Sequence, residues 1–168
     1  MSSRSSANKW ALFALCAIAY FFANFHRVSS AVIASDLQQE FNASSSVLGV
    51  LSSTYFWVYA LLQLPLGMAA DRYSPRLLIA MGMAIATLGA LAFGLSRSLG
   101  VAVVARTLAG AGVAAVYIPS LKLLGEAFGG ANLPTVIGLL IAAGNVGSLS
   151  ASSPFAVLVA AVGWRWSF

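Results

Sequence analysis

Five long apolar stretches, broken by very few polar positions, run along the chain at Trp10–Ala34, Val47–Ala70, Leu77–Leu95, Leu99–Phe128 and Leu133–Val162. Crossing a bilayer takes a helix of about 20 apolar residues, because hydrocarbon offers no water to backbone N–H and C=O groups. The pattern therefore predicts an all-α, polytopic transmembrane helical bundle with five spans and no strand, forming a single transmembrane domain over residues 1–168. The connectors are short. Ser35–Ser46 is polar, with Asp36, Glu40 and a serine run suited to cap the second helix. Asp71–Arg76 is a tight charged turn containing Pro75, Ser96–Ser98 is shorter still, and Gly129–Asn132 is a glycine turn. Such brief links make neighbouring helices antiparallel.

Composition removes the soluble alternative. The chain is 60% hydrophobic and 8% charged, with a mean hydropathy of +0.90, whereas soluble domains carry roughly 25% charged residues. The net charge of +5 comes from nine basic residues scattered singly. Without a basic patch interleaved with aromatics, no nucleic-acid partner is expected. Cys16 is the single cysteine and sits in the first apolar stretch, which excludes a disulfide framework and a cysteine zinc site. No acidic pair, metal cluster or nucleophile–base set is present in the pattern, so neither an enzyme nor a cofactor or metal is expected. The first stretch, 25 residues long and containing His26 and Arg27, exceeds the core of a cleaved signal peptide and reads as a retained helix.

Basic residues set the expected orientation. With a cytoplasmic N-terminus, Arg4, Lys9, Arg72 and Arg76 lie inside and Arg97 and Arg165 outside, with Lys122 near the inner surface. The C-terminus then lies outside, in a multi-pass protein of the cell (inner or plasma) membrane.

Two local patterns carry more. Gly67-Met-Ala-Ala-Asp71-Arg72-Tyr-Ser-Pro-Arg76 occupies the turn between the second and third helices. Arg106-Thr-Leu-Ala-Gly110-Ala-Gly112 lies early in the fourth. The first resembles the signature loop of the major facilitator superfamily, G-x-x-x-D-R-x-G-x-R/K, with Ser74 where the family usually has glycine. The second resembles that family's fourth-helix motif. Gly138, Gly144 and Gly147 followed by Pro154 loosely resemble its glycine-rich fifth-helix motif, with Gly144-Asn145 in place of Gly-Pro. Gly163-Trp-Arg-Trp-Ser-Phe168 looks like the lead-in to its sixth helix. The resemblance spans essentially the whole chain.

It implies the N-terminal half of a twelve-helix transporter, stopping before helix six. The expected partners are a small-molecule solute, the lipid bilayer, and a missing C-terminal half or a second copy. It also implies that Gly67, Asp71, Arg72 and Arg76 form a cytoplasmic conformational latch. Alternating access needs a second bundle to close the cavity, so the chain by itself is not expected to transport.

An ionisable group within the bilayer costs about 2.5–3.5 kcal/mol on insertion scales and needs a reason. Arg27 and Arg106 are such groups, while Asp36, Glu40, Asp71 and Glu126 all fall at helix ends. An unpaired buried arginine calls for an anion, so the expected solute is a small organic anion. Hydrogen bonding to backbone carbonyls of other helices is the plain alternative. Tyr20, Asn24, Arg27 and Ser30 recur at steps of four, three and three and share a face. Arg106, Gly110, Val113, Tyr117 and Ser120 make a second stripe, and in the family helices one and four line the cavity. The candidate substrate-binding residues are Asn24, Arg27, Tyr55, Tyr59, Arg106, Tyr117 and Asn145. Tyr55 and Tyr59 read equally well as space-filling side chains.

His26, about 100° round the helix from Arg27, is a candidate for proton coupling or for a hydrogen bond between helices. Lys122 lies about 160° round an ideal helix from Arg106. It is expected to snorkel toward the cytoplasm or pair with Glu126, unless a kink at Pro119 changes the angle. Small-residue stripes at Gly82/Ala86/Gly89 and Gly144/Gly147/Ala151 predict close helix packing. The functional expectation is a secondary transporter, or its N-terminal part. The other class is a non-transporting membrane subunit or remnant that packs with other helices.

Overall fold

The computed structural model describes residues 2–168, with side chains described from Asn8 onward, so the Arg4 side chain lies outside the described residues. Eight α-helices follow one another: α1 (Ser2–Val32), α2 (Ala34–Phe41), α3 (Ser45–Arg72), α4 (Pro75–Gly94), α5 (Leu99–Ala114), α6 (Tyr117–Phe128), α7 (Leu133–Ser150) and α8 (Ser153–Val162). Short 3-10 turns cover Gly130–Asn132 and Arg165–Ser167. Five segments are long and apolar enough to cross a membrane: Asn8–Val32, Ser45–Arg72, Pro75–Gly94, Leu99–Phe128 and Gly130–Ser150. The expected all-α bundle is the observed one. Its outer surface is apolar, with Leu64, Leu15 and Trp57 projecting outward, as lipid contact requires.

The predicted elements change in three places. The polar connector at 35–46 is mostly helix α2, because Leu37 and Phe41 pack inward with Ile33 while Asp36 lies in the first turn, next to the positive helix end. Asn42 stops this helix by turning left-handed, at φ 51°. Ser44 then caps α3 by accepting from the Val47 N–H, as the serine run suggested. The fourth stretch, read as continuous, breaks at Ala115–Val116, so that α6 begins afresh at Tyr117. Pro119 has no N–H to return to the Ala115 carbonyl, four residues back. The fifth stretch, also read as continuous to Val162, breaks at Ala151–Ser152 ahead of Pro154 for the same reason. There the Ser152 hydroxyl donates to the Leu149 carbonyl at 2.6 Å and Ser150 to Val146 at 2.8 Å.

Ser74, the departure from the family's glycine, sits at φ −60°, a value open to any residue. In the turn after α6, Gly129 and Gly130 adopt φ 39° and 59°, where a side chain would be strained.

Small residues set the helix spacing. A Cβ on Gly89 would lie 2.5 Å from the Ala109 nitrogen, and one on Gly82 2.6 Å from the Gly112 oxygen. One on Gly112 would run into the backbone of Ala86. Across the bundle, one on Gly147 would strike the Phe21 carbonyl of α1. Both predicted stripes thus bring backbones together, α4 on α5 and α7 on α1.

Opposite the Asp71 turn, a polar clamp ties three distant segments. Arg165 donates to the Glu40 carboxylate through Nε at 3.2 Å and Nη2 at 2.5 Å. Through Nη1 it also donates to the Gly94 carbonyl at 3.0 Å and to the Ser96 carbonyl. Trp164 Nε1 donates to the other carboxylate oxygen at 2.8 Å. Those carbonyls close α4, so the guanidinium also meets the negative end of a helix. Arg165 holds the Glu40 carboxyl below its ordinary value, Trp164 adding to the effect.

Gly112→Leu should overpack the α4–α5 contact and cost roughly 1–3 kcal/mol or more. The check is a lowered unfolding midpoint in detergent, with Gly138→Leu, where a Cβ meets nothing within 4 Å, left unchanged. Glu40 predicts a pH dependence. Its depressed pKa supplies stability above the ordinary carboxylate value, and this is lost as pH falls through the folded value. Melting curves between neutral pH and about pH 3 should show an acid-side loss of midpoint, which Glu40→Gln flattens.

Candidate functional site

The polar residues of α1 and α5 separate into two groups with different jobs. Arg106 is 1% exposed. Its Nη2 donates to the His26 carbonyl at 3.1 Å and to Ser30 Oγ at 2.9 Å, both on α1. The guanidinium carbon lies 4.8 Å from the Tyr55 ring centroid and 5.5 Å from that of Phe93. Tyr55, fully buried, donates its hydroxyl to the Ala23 carbonyl at 3.2 Å. Arg106 and Tyr55, two of the predicted substrate residues, are thus spent on joining α5 and α3 to α1 in this conformation. Only Nε of Arg106 stays buried without a partner.

The second group lies on the neighbouring face of α1. Arg27 is half-buried, with its guanidinium carbon 4.9 Å from the centre of the Tyr59 ring. Its Nε is buried and has no hydrogen-bond partner. One turn toward the N-terminus, Asn24 is 6% exposed and donates to the Tyr20 carbonyl at 2.9 Å. Tyr20 stacks on Tyr117, the first residue of α6, with ring centroids 5.2 Å apart and planes at 28°. Gly144 of α7 backs this pair, since a Cβ there would lie 2.5 Å from the Tyr20 ring and 2.7 Å from Asn24 Nδ2. Tyr20, Tyr59, Tyr117 and Arg27 all remain partly exposed, so the group can be reached. Asn145, next to Gly144, is exposed instead and does not join them.

The two ion pairs among the described residues, Lys122–Asp71 and Arg165–Glu40, lie at opposite ends of the bundle. No carboxylate therefore pairs with Arg27 or Arg106. Among the described residues no group of His, Cys, Asp and Glu could hold a metal ion.

His26 points elsewhere. It lines a cavity of 260 Å³ between α1 and α4 with Phe22, Met83, Thr87 and Leu91. Its ring lies 6.1 Å from that of Phe168, and its Nδ1 is buried and unpartnered. At the other end of the bundle Asp71, Arg72 and Arg76 are exposed, and Gly67 sits beside Ile118 of α6. Lys122 donates to the Ala70 carbonyl at 2.6 Å and to Asp71 Oδ1 at 3.0 Å, leaving Glu126 exposed. Of the two expectations for Lys122, a pair with Glu126 at i+4 does not form, and counting degrees along an unbroken helix could not reach Asp71. The break at Ala115–Val116 resets the angle, and Pro119 is the only signal for it.

The family model of the Major Facilitator Superfamily matches residues 13–168. The chain belongs to this superfamily. Its fold is that of a bacterial homolog of the human lysosomal transporter Spinster, solved in an inward-facing, unoccupied conformation. The TM-score is 0.84 and the identity 19%, over 99% of this chain and 36% of that one. Among curated relatives, a probable L-galactonate transporter of Escherichia coli is 27% identical over 142 residues, covering 84% of this chain and 31% of that protein. The chloroplastic ascorbate transporter of Arabidopsis thaliana is 29% identical over 75 residues, 45% of this chain and 14% of that protein. The multidrug resistance protein Stp of Mycobacterium tuberculosis is 31% identical over 134 residues, 79% of this chain and 25% of that protein. The chain thus spans from about a seventh to about a third of the length of these superfamily members.

The two arginines should separate in a stability measurement. Arg106→Met removes the donor held by His26 and Ser30 and should cost roughly 1.5–3 kcal/mol. Arg27→Gln, with a partly exposed guanidinium, should leave the unfolding midpoint in detergent nearly unchanged.

Proposed function

We propose that this chain supplies the N-terminal bundle of an alternating-access transporter for a small organic anion, with Arg27 as the group that meets the negative charge. One observation carries the reading. Arg27 keeps an unsatisfied Nε beside an accessible aromatic wall within the membrane, and no carboxylate neutralises it. A guanidinium presents a planar fork that suits a carboxylate or phosphate, and a low-dielectric setting strengthens that attraction. Tyr59, Tyr20 and Tyr117 would then contact the body of the solute, with Asn24 close by. Relatives named for galactonate and ascorbate transport fit an anionic solute, and one named for multidrug resistance keeps a broader range in play.

Arg106, Tyr55 and Asn145 belong to this proposal in a changed form. The first two hold α1 in place so that Arg27 faces the open side. Asn145 is free to meet a facing bundle. That bundle, a C-terminal half or a second copy, completes the cavity, and Gly67, Asp71, Arg72 and Arg76 latch against it. Lys9, Arg72, Arg76 and Lys122 gather at the Asp71 end, which we assign to the cytoplasm of a cell membrane by the excess of basic residues there. His26 turns its ring to α4 and not to the Arg27 group, and the contact with Arg106 uses only its backbone carbonyl.

Binding of L-galactonate and of ascorbate to the chain in lipid nanodiscs tests the reading. Arg27→Gln should weaken binding roughly ten- to a hundredfold, the loss of one charged hydrogen-bond partner, and Arg27→Lys less. Binding of a lipophilic cation, undiminished by Arg27→Gln, would overturn the anion assignment.

A further inference from the structure

Helix α6 is only twelve residues long, yet its side chains reach two separate pieces of chemistry. Tyr117 opens it and stacks on Tyr20 in the Arg27 group. Five residues later, about 7.5 Å along the axis, Lys122 reaches the Asp71 turn. Behind Tyr117 the regular four-back bonding of α5 is interrupted. The Ala115 and Val116 N–H groups bond three residues back, to Gly112 and Val113, and Pro119 returns no N–H. On the far side of this joint α5 is held to α1 by Arg106. A tilt of α6 about residues 115–116 would therefore leave that attachment undisturbed.

Lys122 also answers an electrostatic problem. Asp71 is a carboxylate in the last turn of α3, where the helix end is itself negative. The Lys122 ammonium meets both charges, with its shorter bond to the Ala70 carbonyl. The pair is exposed enough, at 33% and 79%, for a facing group to take over Asp71. The Ala70 bond would still keep α6 joined to α3.

We propose that Lys122 is a positioning residue for transport. Through it α6 acts as a short rod that couples the Asp71 turn to the aromatic wall at Tyr117, so that a shift at either end is felt at the other. Coupling between two sites is reciprocal by linkage. The inference draws on the organic-anion reading only for the ligand used in one arm of its test.

Amide exchange, followed by mass spectrometry on the full chain in nanodiscs, gives the decisive arm. Lys122→Met should raise exchange about tenfold, within the usual range of coupling, both at residues 68–73 and at 117–121. Lys122→Arg, which can still donate to Ala70 and Asp71, should restore protection at both. If Lys122→Met does not fold, Lys122→Gln should give a smaller rise in the same two segments. A rise confined to 68–73 in either variant makes Lys122 a local cap and overturns the proposal. In the second arm, L-galactonate should bind Lys122→Met about fivefold more weakly than the native chain, the low end of such couplings, and unchanged affinity counts against the rod. Should the native chain bind no L-galactonate, the anion reading fails, and the exchange arm still decides the coupling.

Discussion

Burying a guanidinium in an apolar bundle demands a polar enclosure, and the arrangement around Arg106 supplies one from four spans at once. α1 contributes the His26 carbonyl and Ser30, α3 the Tyr55 ring, α4 the Phe93 ring, and α5 carries the arginine itself. None of these groups neutralises the charge. Together they replace water by two acceptors and two aromatic faces, which offsets an insertion cost of about 2.5–3.5 kcal/mol only when all four helices are in register. Gly110, one turn on from Arg106, has the Tyr55 backbone against it, where a Cβ would come within 3.0 Å of the Tyr55 oxygen. The close α3–α5 approach and the aromatic lid are therefore parts of one arrangement. Because His26 precedes Arg27, the same contact sets the rotation of α1 and turns Arg27 about 100° away, toward the accessible side.

Two prolines interrupt what is otherwise continuous helix, and the consequences differ. At Ser150–Ala151–Ser152 the serine hydroxyls fold back onto carbonyls of their own helix, a local repair that lets α8 leave at a new angle. At Ala115–Val116 the joint lies between two attachments, Arg106 on one side and Lys122 on the other. Pro65 of α3, by contrast, is accommodated without a break. A proline therefore permits a joint, and the surrounding contacts decide whether one forms.

The five spans were legible because hydrocarbon enforces a length and composition that few other structures share. The serine cap, the small-residue stripes and the Asp71 turn were legible for similar reasons, each being a local requirement written in adjacent residues. The shared face of Tyr20, Asn24 and Arg27 followed from helical spacing alone. What spacing could not separate was Arg27 from Arg106. Both are lone basic residues in apolar stretches, and only the presence of Ser30, His26 and two rings around one of them distinguishes an attachment from an accessible charge. Helix α2 escaped notice because eight residues with two acidic side chains look like a connector until Leu37 and Phe41 are given a core to enter. Lys122 escaped because its partner lies 51 residues away across a break.

The clamp of Arg165 on Glu40 joins residues 125 positions apart, and this separation has a meaning for how the chain assembles. During synthesis α1 and α2 are made long before Trp164 and Arg165 exist. For all that time Glu40 has no guanidinium beside it, and the Gly94 and Ser96 carbonyls at the end of α4 lack the same donor. The early helices must rely on nearest-neighbour packing and on the Arg106 enclosure, which becomes available once α5 has entered. Closing the clamp is then a late event that reports on topology, since Arg165 can reach Glu40 only if the fifth span has crossed to the correct side. A chain with an inverted or skipped span would keep a free carboxylate and two bare carbonyls at that surface, a recognisable mark of misassembly.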